Sequence, residues 1–125
     1  MRSGWLIAGV AGWALLGACG PSPGDRCNQG GYLCQDASSA LECRDGKWRA
    51  LPCRGPGGCK VSGRSIDCDM TQDLVDDPCA ESKEGYSICG PDGLAVLECR
   101  GGVFQQTLTC SSCSPTDPRL TCVPP

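Results

Sequence analysis

The chain has 125 residues, which is enough for one domain or for two very small ones. Its 13 cysteines far exceed the usage of ordinary globular proteins, and it contains no histidine. The lack of histidine removes Ser-His and Cys-His catalytic pairs together with the commonest metal ligand. The formal charge of −3 does not indicate a nucleic-acid partner, and none is predicted.

Residues 1–18 are predicted to be a signal peptide. A short basic start precedes an uncharged apolar run, residues 5–16, which is too short to span a bilayer as a mature helix but suits an export signal. The run ends in Leu16-Gly17-Ala18-Cys19, which resembles the lipobox of bacterial lipoproteins. The resemblance implies cleavage before Cys19 and attachment of diacylglyceryl and N-acyl chains to that residue.

Cysteine parity also favours lipidation of Cys19. Setting this residue aside from the 13 cysteines leaves 12, an even number that suits six disulfides. The alternative is an ordinary cysteine in a signal that is cleaved elsewhere. Three acyl chains exceed what stable membrane attachment requires, and Gly20 implies, by the same resemblance, sorting to the outer membrane. We therefore expect an outer-membrane lipoprotein with no cofactor, its lipid on Cys19 being its only non-protein group.

The other cysteines are predicted to form disulfides. Units of roughly 45–50 residues rarely bury enough apolar surface to fold unaided, and each disulfide adds about 2–4 kcal/mol in an oxidising compartment. Zinc or redox chemistry is the alternative, because Cys110 and Cys113 have C-x-x-C spacing. One such pair supplies only half of a tetrahedral site, and no metal site is predicted. The cysteines concerned are Cys27, Cys34, Cys43, Cys53, Cys59, Cys68, Cys79, Cys89, Cys99, Cys110, Cys113 and Cys122.

These cysteines fall into two similar sets of six. Gaps of 6, 8, 9, 5 and 8 residues follow Cys27, and gaps of 9, 9, 10, 2 and 8 follow Cys79. The segment ALECR at 40–44 matches VLECR at 96–100, and Gly-Tyr precedes the second cysteine of each set. The pattern predicts a small, disulfide-rich, mostly β protein with two tandem three-stranded antiparallel domains. The disulfide bonds are expected to stay within each copy, although the six cysteines of one copy allow 15 connectivities.

Turn sequences place the expected strands. In the second copy, Gly90-Pro91-Asp92-Gly93 and Gly101-Gly102 separate strands at 85–89, 94–100 and 103–110. The first copy has the two-residue hairpin turn Asp45-Gly46 at the equivalent place, and the cysteine-rich tail after its three strands is expected to be a loop. The Leu74-Val75 pair of the acidic segment between the copies is expected to dock on one of them. The predicted order is signal peptide 1–18, lipidated cysteine and spacer 19–24, repeat 1 at 25–68, acidic linker 69–78 and repeat 2 at 79–125.

A family resemblance rests on the motifs of repeat 1. C-x6-C is followed by LECRDGKW at 41–48 and then by C-x5-C. This pattern is similar to the fungal chitin-binding module of carbohydrate-binding family 19, in which Gly-x-Trp follows the third cysteine. Trp48 matches that tryptophan and Phe104 replaces it in repeat 2, whereas Gly57-Gly58 departs from the family pattern. The overall layout also resembles cysteine-rich outer-membrane lipoproteins of gliding soil bacteria.

Four aromatic residues are candidates for ligand binding: Trp48, Phe104, Tyr32 and Tyr86. Aromatic faces stack on the C–H faces of sugar rings, and two modules in tandem gain affinity on a polymer. The alternative is that these side chains form the cores of the repeats. The predicted function is binding or adhesion to envelope or extracellular polysaccharide. The alternatives are a structural or protein-interaction subunit of the envelope, and a displayed inhibitor or toxin.

Charge differs between the repeats, and no catalytic residues are predicted. Residues 25–68 carry seven Lys or Arg against five Asp or Glu. These cations are expected to face lipid phosphates, acidic polysaccharide, the acidic linker of a neighbour, or only solvent. Glu42 and Glu98 occupy repeated positions beside cysteines, which indicates a structural role, and no nucleophile motif is present. An enzyme is therefore not expected.

Overall fold

The computed structural model describes residues 20–28, 30–115 and 120–125. The predicted signal peptide and Cys19 lie outside these residues. Within the described ranges, no helix is long and apolar enough to cross a membrane. Short antiparallel sheets and six disulfides make up the fold, so the predicted disulfide-rich, mostly β class is confirmed.

Repeat 1 consists of a three-stranded sheet and a hairpin. The turn between the second and third strands of the sheet is Asp45-Gly46, whose φ angles of 55° and 79° match the two-residue hairpin that the sequence predicts. The cysteine-rich tail, expected to be a loop, instead pairs with itself as a second hairpin. The strands are β1 (Gly31–Asp36), β2 (Ser39–Arg44) and β3 (Lys47–Pro52) in the sheet, and β4 (Cys59–Ser62) and β5 (Ser65–Cys68) in the hairpin.

Repeat 2 has the same strand order. One turn of 3-10 helix, Glu81–Lys83, precedes its sheet and has no counterpart among the described elements of repeat 1. The observed strands fall within two residues of the expected bounds, and Thr107 is an extra residue that forms a bulge opposite Val96 and Leu97. The strands are β6 (Ser87–Cys89), β7 (Ala95–Arg100) and β8 (Val103–Thr109) in the sheet, and β9 (Ser112–Ser114) and β10 (Thr121–Val123) in the hairpin.

The disulfides follow one connectivity in both repeats: first to third, second to fifth, and fourth to sixth cysteine. All six bonds stay within a repeat, which confirms the expected pairing. Cys110 and Cys113 bond to different partners, so they form neither half of a zinc site nor a redox pair. The bonds are Cys27–Cys43, Cys34–Cys59, Cys53–Cys68, Cys79–Cys99, Cys89–Cys113 and Cys110–Cys122.

Backbone hydrogen bonds extend each repeat towards its N-terminal side. The Trp48 amide donates to the carbonyl oxygen of Asp25, and the Phe104 amide donates to that of Asp77, both at 2.9 Å. Each aspartate side chain also accepts from the amide three residues earlier, at 2.8 Å. Residues 22–25 and 74–77 are therefore equivalent elements. The structure includes them in the repeats, whereas the sequence assigned most of them to a spacer and a linker.

Most of the buried apolar residues of the two repeats form one cluster. Met70, from the segment between the repeats, is buried in this cluster, whereas Leu74 and Val75 are exposed, so the expected docking through Leu74-Val75 is wrong. The longer, flexible side chain of methionine reaches the gap between the two sheets. The cluster comprises Ala40, Leu51, Cys53, Cys59, Met70, Cys79, Ala80, Ile88, Ala95, Leu97, Cys99 and Phe104.

Candidate functional site

A buried ion pair fixes the orientation of the two repeats. Glu42 on β2 is 2 % exposed and accepts a hydrogen bond from Arg49 Nε on β3 at 2.9 Å. Its second carboxylate oxygen accepts from the backbone amide of Glu81, in repeat 2, at 2.7 Å. Among the residues that the structure describes, the equivalent Glu98 pairs only with Arg100 on its own strand. The expected structural role of Glu42 is therefore explained by a contact between repeats.

Arg49 also binds the backbone of repeat 2 directly. Its Nη1 donates to the carbonyl oxygen of Gly102 at 3.2 Å, and its Nη2 donates to that of Cys79 at 2.5 Å. A β-carbon at Gly102 would lie 2.9 Å from Nη1 of Arg44 and 3.3 Å from Nη2 of Arg49. Glycine at residue 102, where φ is +86°, therefore leaves room for the two guanidinium groups at the β7–β8 turn.

A second contact joins Arg54 to the segment that leads into repeat 2. Its guanidinium donates to both carboxylate oxygens of Asp77, at 2.6 and 3.1 Å. Although partial burial alone would raise the pKa of Asp77, hydrogen bonds from Arg54 and from the Leu74 amide lower it. One expectation was that the cations of repeat 1 face the acidic linker of a neighbouring molecule. Arg54 does face the acidic linker, but it is the linker of the same chain.

Asp73 is a buried acid beside this contact. One of its oxygens accepts from the Arg54 amide at 3.1 Å, and the other has no partner among the described residues. Burial raises the pKa of Asp73 to about 7; the amide hydrogen bond from Arg54 opposes the shift, and the negative charge of Asp77 adds to it. The junction of the repeats therefore contains a group that titrates near neutral pH.

The junction leaves a cleft open between the β4–β5 hairpin of repeat 1 and the 3-10 turn of repeat 2. It consists of two adjoining pockets of about 380 and 240 Å³. The size suits a small ligand or a segment of a polymer. We call this the inter-repeat cleft; its apolar lining is Tyr32, Leu51, Ile66, Met70, Ala80 and Tyr86, and its ionisable lining, tyrosines aside, is Lys60, Arg64, Asp67, Asp69 and Lys83.

Two of the four aromatic candidates line the inter-repeat cleft. Tyr32 is half-buried, and its hydroxyl oxygen lies 3.4 Å from the Ser82 amide, which donates to it. Tyr86, at the equivalent position of repeat 2, is exposed, with the Lys83 ammonium 4.9 Å from its ring centroid. The structure therefore brings together the two tyrosines that the repeat pattern paired.

The other two candidates lie elsewhere. Phe104 is fully buried in the shared cluster and is inaccessible to a ligand, so its place among the binding candidates is corrected to a core role. Trp48 is half-buried and, by strand alternation, points away from the face that carries Arg49 and Leu51. It lines a shallower pocket of about 480 Å³ with Cys27, Asn28 and residues 30–33, and Gly31 and Tyr32 line this pocket as well as the inter-repeat cleft.

The departure from the family-19 pattern at Gly57-Gly58 has a local cause. Gly58 has a φ of +59°, and a side chain there would collide with the carbonyl oxygen of Ala37. The Gly57 amide donates to the Asp69 carboxylate at 2.9 Å, and Thr71 binds the other oxygen of that group. The two glycines therefore let the loop before Cys59 close against the segment that leads to repeat 2.

Comparison of the chain with protein-family models, with curated proteins and with solved structures gave no match in any of the three. The resemblances to family 19 and to bacterial lipoproteins therefore rest on the motifs given above. In the described part of the chain, no group of three or more His, Cys, Asp or Glu side chains is arranged to hold a metal ion.

The sequence did not identify Lys83 or Met70 as site residues, whereas Arg64 was among the cations of repeat 1 that were expected to face an anion or only solvent. A signal for Lys83 was available, because nine residues separate the first two cysteines of repeat 2 and only six separate those of repeat 1. The longer gap contains the 3-10 turn that brings Lys83 to the cleft. Met70 carries no such signal, since its position depends on how the repeats meet.

Proposed function

We propose that the protein is an exported lipoprotein that binds envelope or extracellular polysaccharide in the inter-repeat cleft. The observation that carries the proposal is the presence of Tyr32 and Tyr86, from equivalent positions of the two repeats, in the lining of one cleft. Aromatic rings stack on the C–H faces of sugars at a small cost in conformational entropy. A site built from both repeats explains why their mutual orientation is fixed by buried contacts.

The chemistry of the cleft is compatible with a sugar. Met70 and Ile66 provide apolar surface for ring faces, and Ser65, Ser82 and Asp67 offer hydrogen-bonding groups near it. Such a mixture of apolar floor and a few polar groups orients a ligand without requiring catalysis. The shallower pocket at Trp48 is the competing location for the same function, and it is the location that the family-19 resemblance implies.

Anchoring through Cys19 belongs to this proposal. All other 12 cysteines are paired in six disulfides, which leaves Cys19 as the odd residue at the end of the lipobox-like sequence. Replacing Cys19 by serine in the full chain, expressed in a bacterium that processes lipoproteins, is expected to abolish fatty-acid labelling and move the protein out of the membrane fraction. Unchanged labelling and fractionation would exclude lipidation at this residue.

The polysaccharide proposal is tested with residues 20–125, which contain every described element, produced with disulfides formed. Retention on chitin, cellulose, peptidoglycan and polygalacturonate is measured for the wild type and for two matched variants, Tyr86→Ala and Trp48→Ala. We expect retention on at least one polymer, lost in Tyr86→Ala and kept in Trp48→Ala. Loss only in Trp48→Ala would move the site to the shallower pocket, and no retention would contradict the proposal.

A second candidate function, interaction with an envelope protein, is favoured by one open sheet face. Leu51 on β3 and Leu108 on β8 are equivalent, since each pairs with the residue before the leucine of its LEC motif. Leu51 is 1 % exposed beneath repeat 2, whereas Leu108 is 54 % exposed. Repeat 2 covers the face of repeat 1 that carries Leu51. Among the described residues, nothing covers the equivalent face of repeat 2, which carries Leu108. Cross-linking from position 108 in intact cells tests this candidate function. An adduct with one envelope protein would support it, and the absence of any adduct would count against it.

A further inference from the structure

We infer that the ligand of the inter-repeat cleft is an acidic sugar polymer, recognised through its carboxylates by Lys60, Arg64 and Lys83. This inference rests on the proposed function and narrows it to one chemical class. It goes beyond the family resemblance, which implies the neutral polymer chitin. The observations behind it are the pairing of the cations in the chain, the position of Lys83 and the balance of charge around the cleft.

Four of the seven cations of repeat 1 fall into two groups. Arg49 and Arg54 are committed to Glu42 and Asp77 at the junction of the repeats. Lys60 and Arg64, on the β4–β5 hairpin and its turn, line the cleft and belong to none of the ion pairs among the described residues. Of these four cations, Lys60 and Arg64 are therefore the two that a ligand in the cleft can reach.

Lys83 approaches the same cleft from repeat 2. It lines both pockets, and its ammonium lies over the ring of Tyr86 at 4.9 Å from the centroid. A cation held over a tyrosine ring gains about 0.5–1 kcal/mol at an exposed site. The ring thus restrains a flexible side chain at the mouth of the cleft, and it leaves the ammonium protons available to an anion.

Two carboxylates, those of Asp67 and Asp69, also line the cleft, and they differ in their hydrogen-bond partners. The oxygens of Asp69 already accept hydrogen bonds from Gly57 and Thr71. Asp67 lies opposite Lys60 in the β4–β5 register, without a salt bridge between them. Three cations therefore face two carboxylates in a chain whose formal charge is −3. The cleft is locally positive on a negative protein, which favours an anionic ligand.

The test compares two polymers with one backbone, polygalacturonate and its fully methyl-esterified form, which lacks the charges. Binding to residues 20–125 is measured by titration for the wild type, Lys83→Gln, Arg64→Gln and the control Lys47→Gln, an exposed cation outside the cleft. We expect binding of the acid only, weakened about fivefold by each cleft variant and unchanged in the control. Binding should also weaken when salt rises from about 0.05 to about 0.5 M.

The outcomes separate this inference from the proposed function. Equal binding of both polymers, lost in Tyr86→Ala but not in Lys83→Gln, would overturn the acidic class and leave polysaccharide binding intact. Failure of every polymer tested would overturn both. Anionic phospholipid vesicles, run in parallel, must bind more weakly than polygalacturonate. Tighter binding to vesicles, lost in Lys83→Gln and Arg64→Gln, would assign the cations to lipid headgroups and overturn the inference.

Discussion

Replacing Arg49 with methionine tests whether a buried ion pair holds the two repeats together. The change keeps much of the apolar stem of the side chain and removes the guanidinium. Glu42 would then remain buried without its ionic partner, and the carbonyl oxygens of Gly102 and Cys79 would lose a donor. Breaking one half of a buried pair costs about 3–5 kcal/mol. Because the Arg49 side chain is 29 % exposed, water offsets part of this cost, and we expect about 3 kcal/mol.

Repeat 2 supplies a matched control. The Arg100–Glu98 pair has a similar separation, 3.1 Å, but its side chains are 56 % and 25 % exposed. Exposed pairs contribute about 0–1 kcal/mol, so Arg100→Met should have little effect. Unfolding by denaturant with the disulfides intact, followed by the fluorescence of Trp48, the single tryptophan of residues 20–125, gives both free energies. Equal losses in the two variants would refute the interpretation that Arg49 joins the repeats.

Three further predictions concern stability, and the same unfolding assay checks them. Gly46→Ala, with open space around residue 46, should cost about 1 kcal/mol from its positive φ. Gly102→Ala, at a similar φ, should cost more because its β-carbon would also push the Arg49 guanidinium away from the carbonyl oxygens that it binds; equal costs would contradict the close contact. Asp73 has a folded pKa of about 7 against an ordinary 3.8, so stability should fall by on the order of 2–4 kcal/mol as the pH rises between these values. Asp73→Asn should remove this dependence, and an unchanged pH profile would exclude Asp73 as its source. Leu51→Ala should cost about 3 kcal/mol and Leu108→Ala under about 0.5 kcal/mol, and similar costs would show that both faces are covered.

The strands of each repeat were predictable because their signals are local. Turn sequences such as Asp45-Gly46 and the repeated LEC motif indicated three strands per copy, and in repeat 2 the observed strands lie within two residues of the expected bounds. The β4–β5 hairpin was not predicted, because it depends on the bonds from Cys59 and Cys68 to distant cysteines. Residues 22–25 and 74–77 were not recognised as equivalent, since only their final aspartate is shared and the likeness lies in backbone hydrogen bonds.

The candidate site was only half predictable for a related reason. Sequence equivalence paired Tyr32 with Tyr86, and both line the cleft, but it also paired Trp48 with Phe104, which lie in different environments. Phe104 packs in the cluster shared by the repeats, while Trp48 lies on the far side of the first sheet. Burial depends on which faces of the two sheets are covered, and a repeat pattern carries no information on how its copies meet.

The most direct test of the account is a titration of isotope-labelled residues 20–125 with galacturonate oligomers, followed by the amide signals of the assigned protein. A parallel titration uses chitin oligomers. We expect saturable shifts from galacturonate at residues 64–67 and at residues 82–86, which line the cleft from the two repeats. Shifts confined to Trp48 and residues 30–33 would contradict the inter-repeat site. An unchanged spectrum with both oligomers would contradict sugar binding itself.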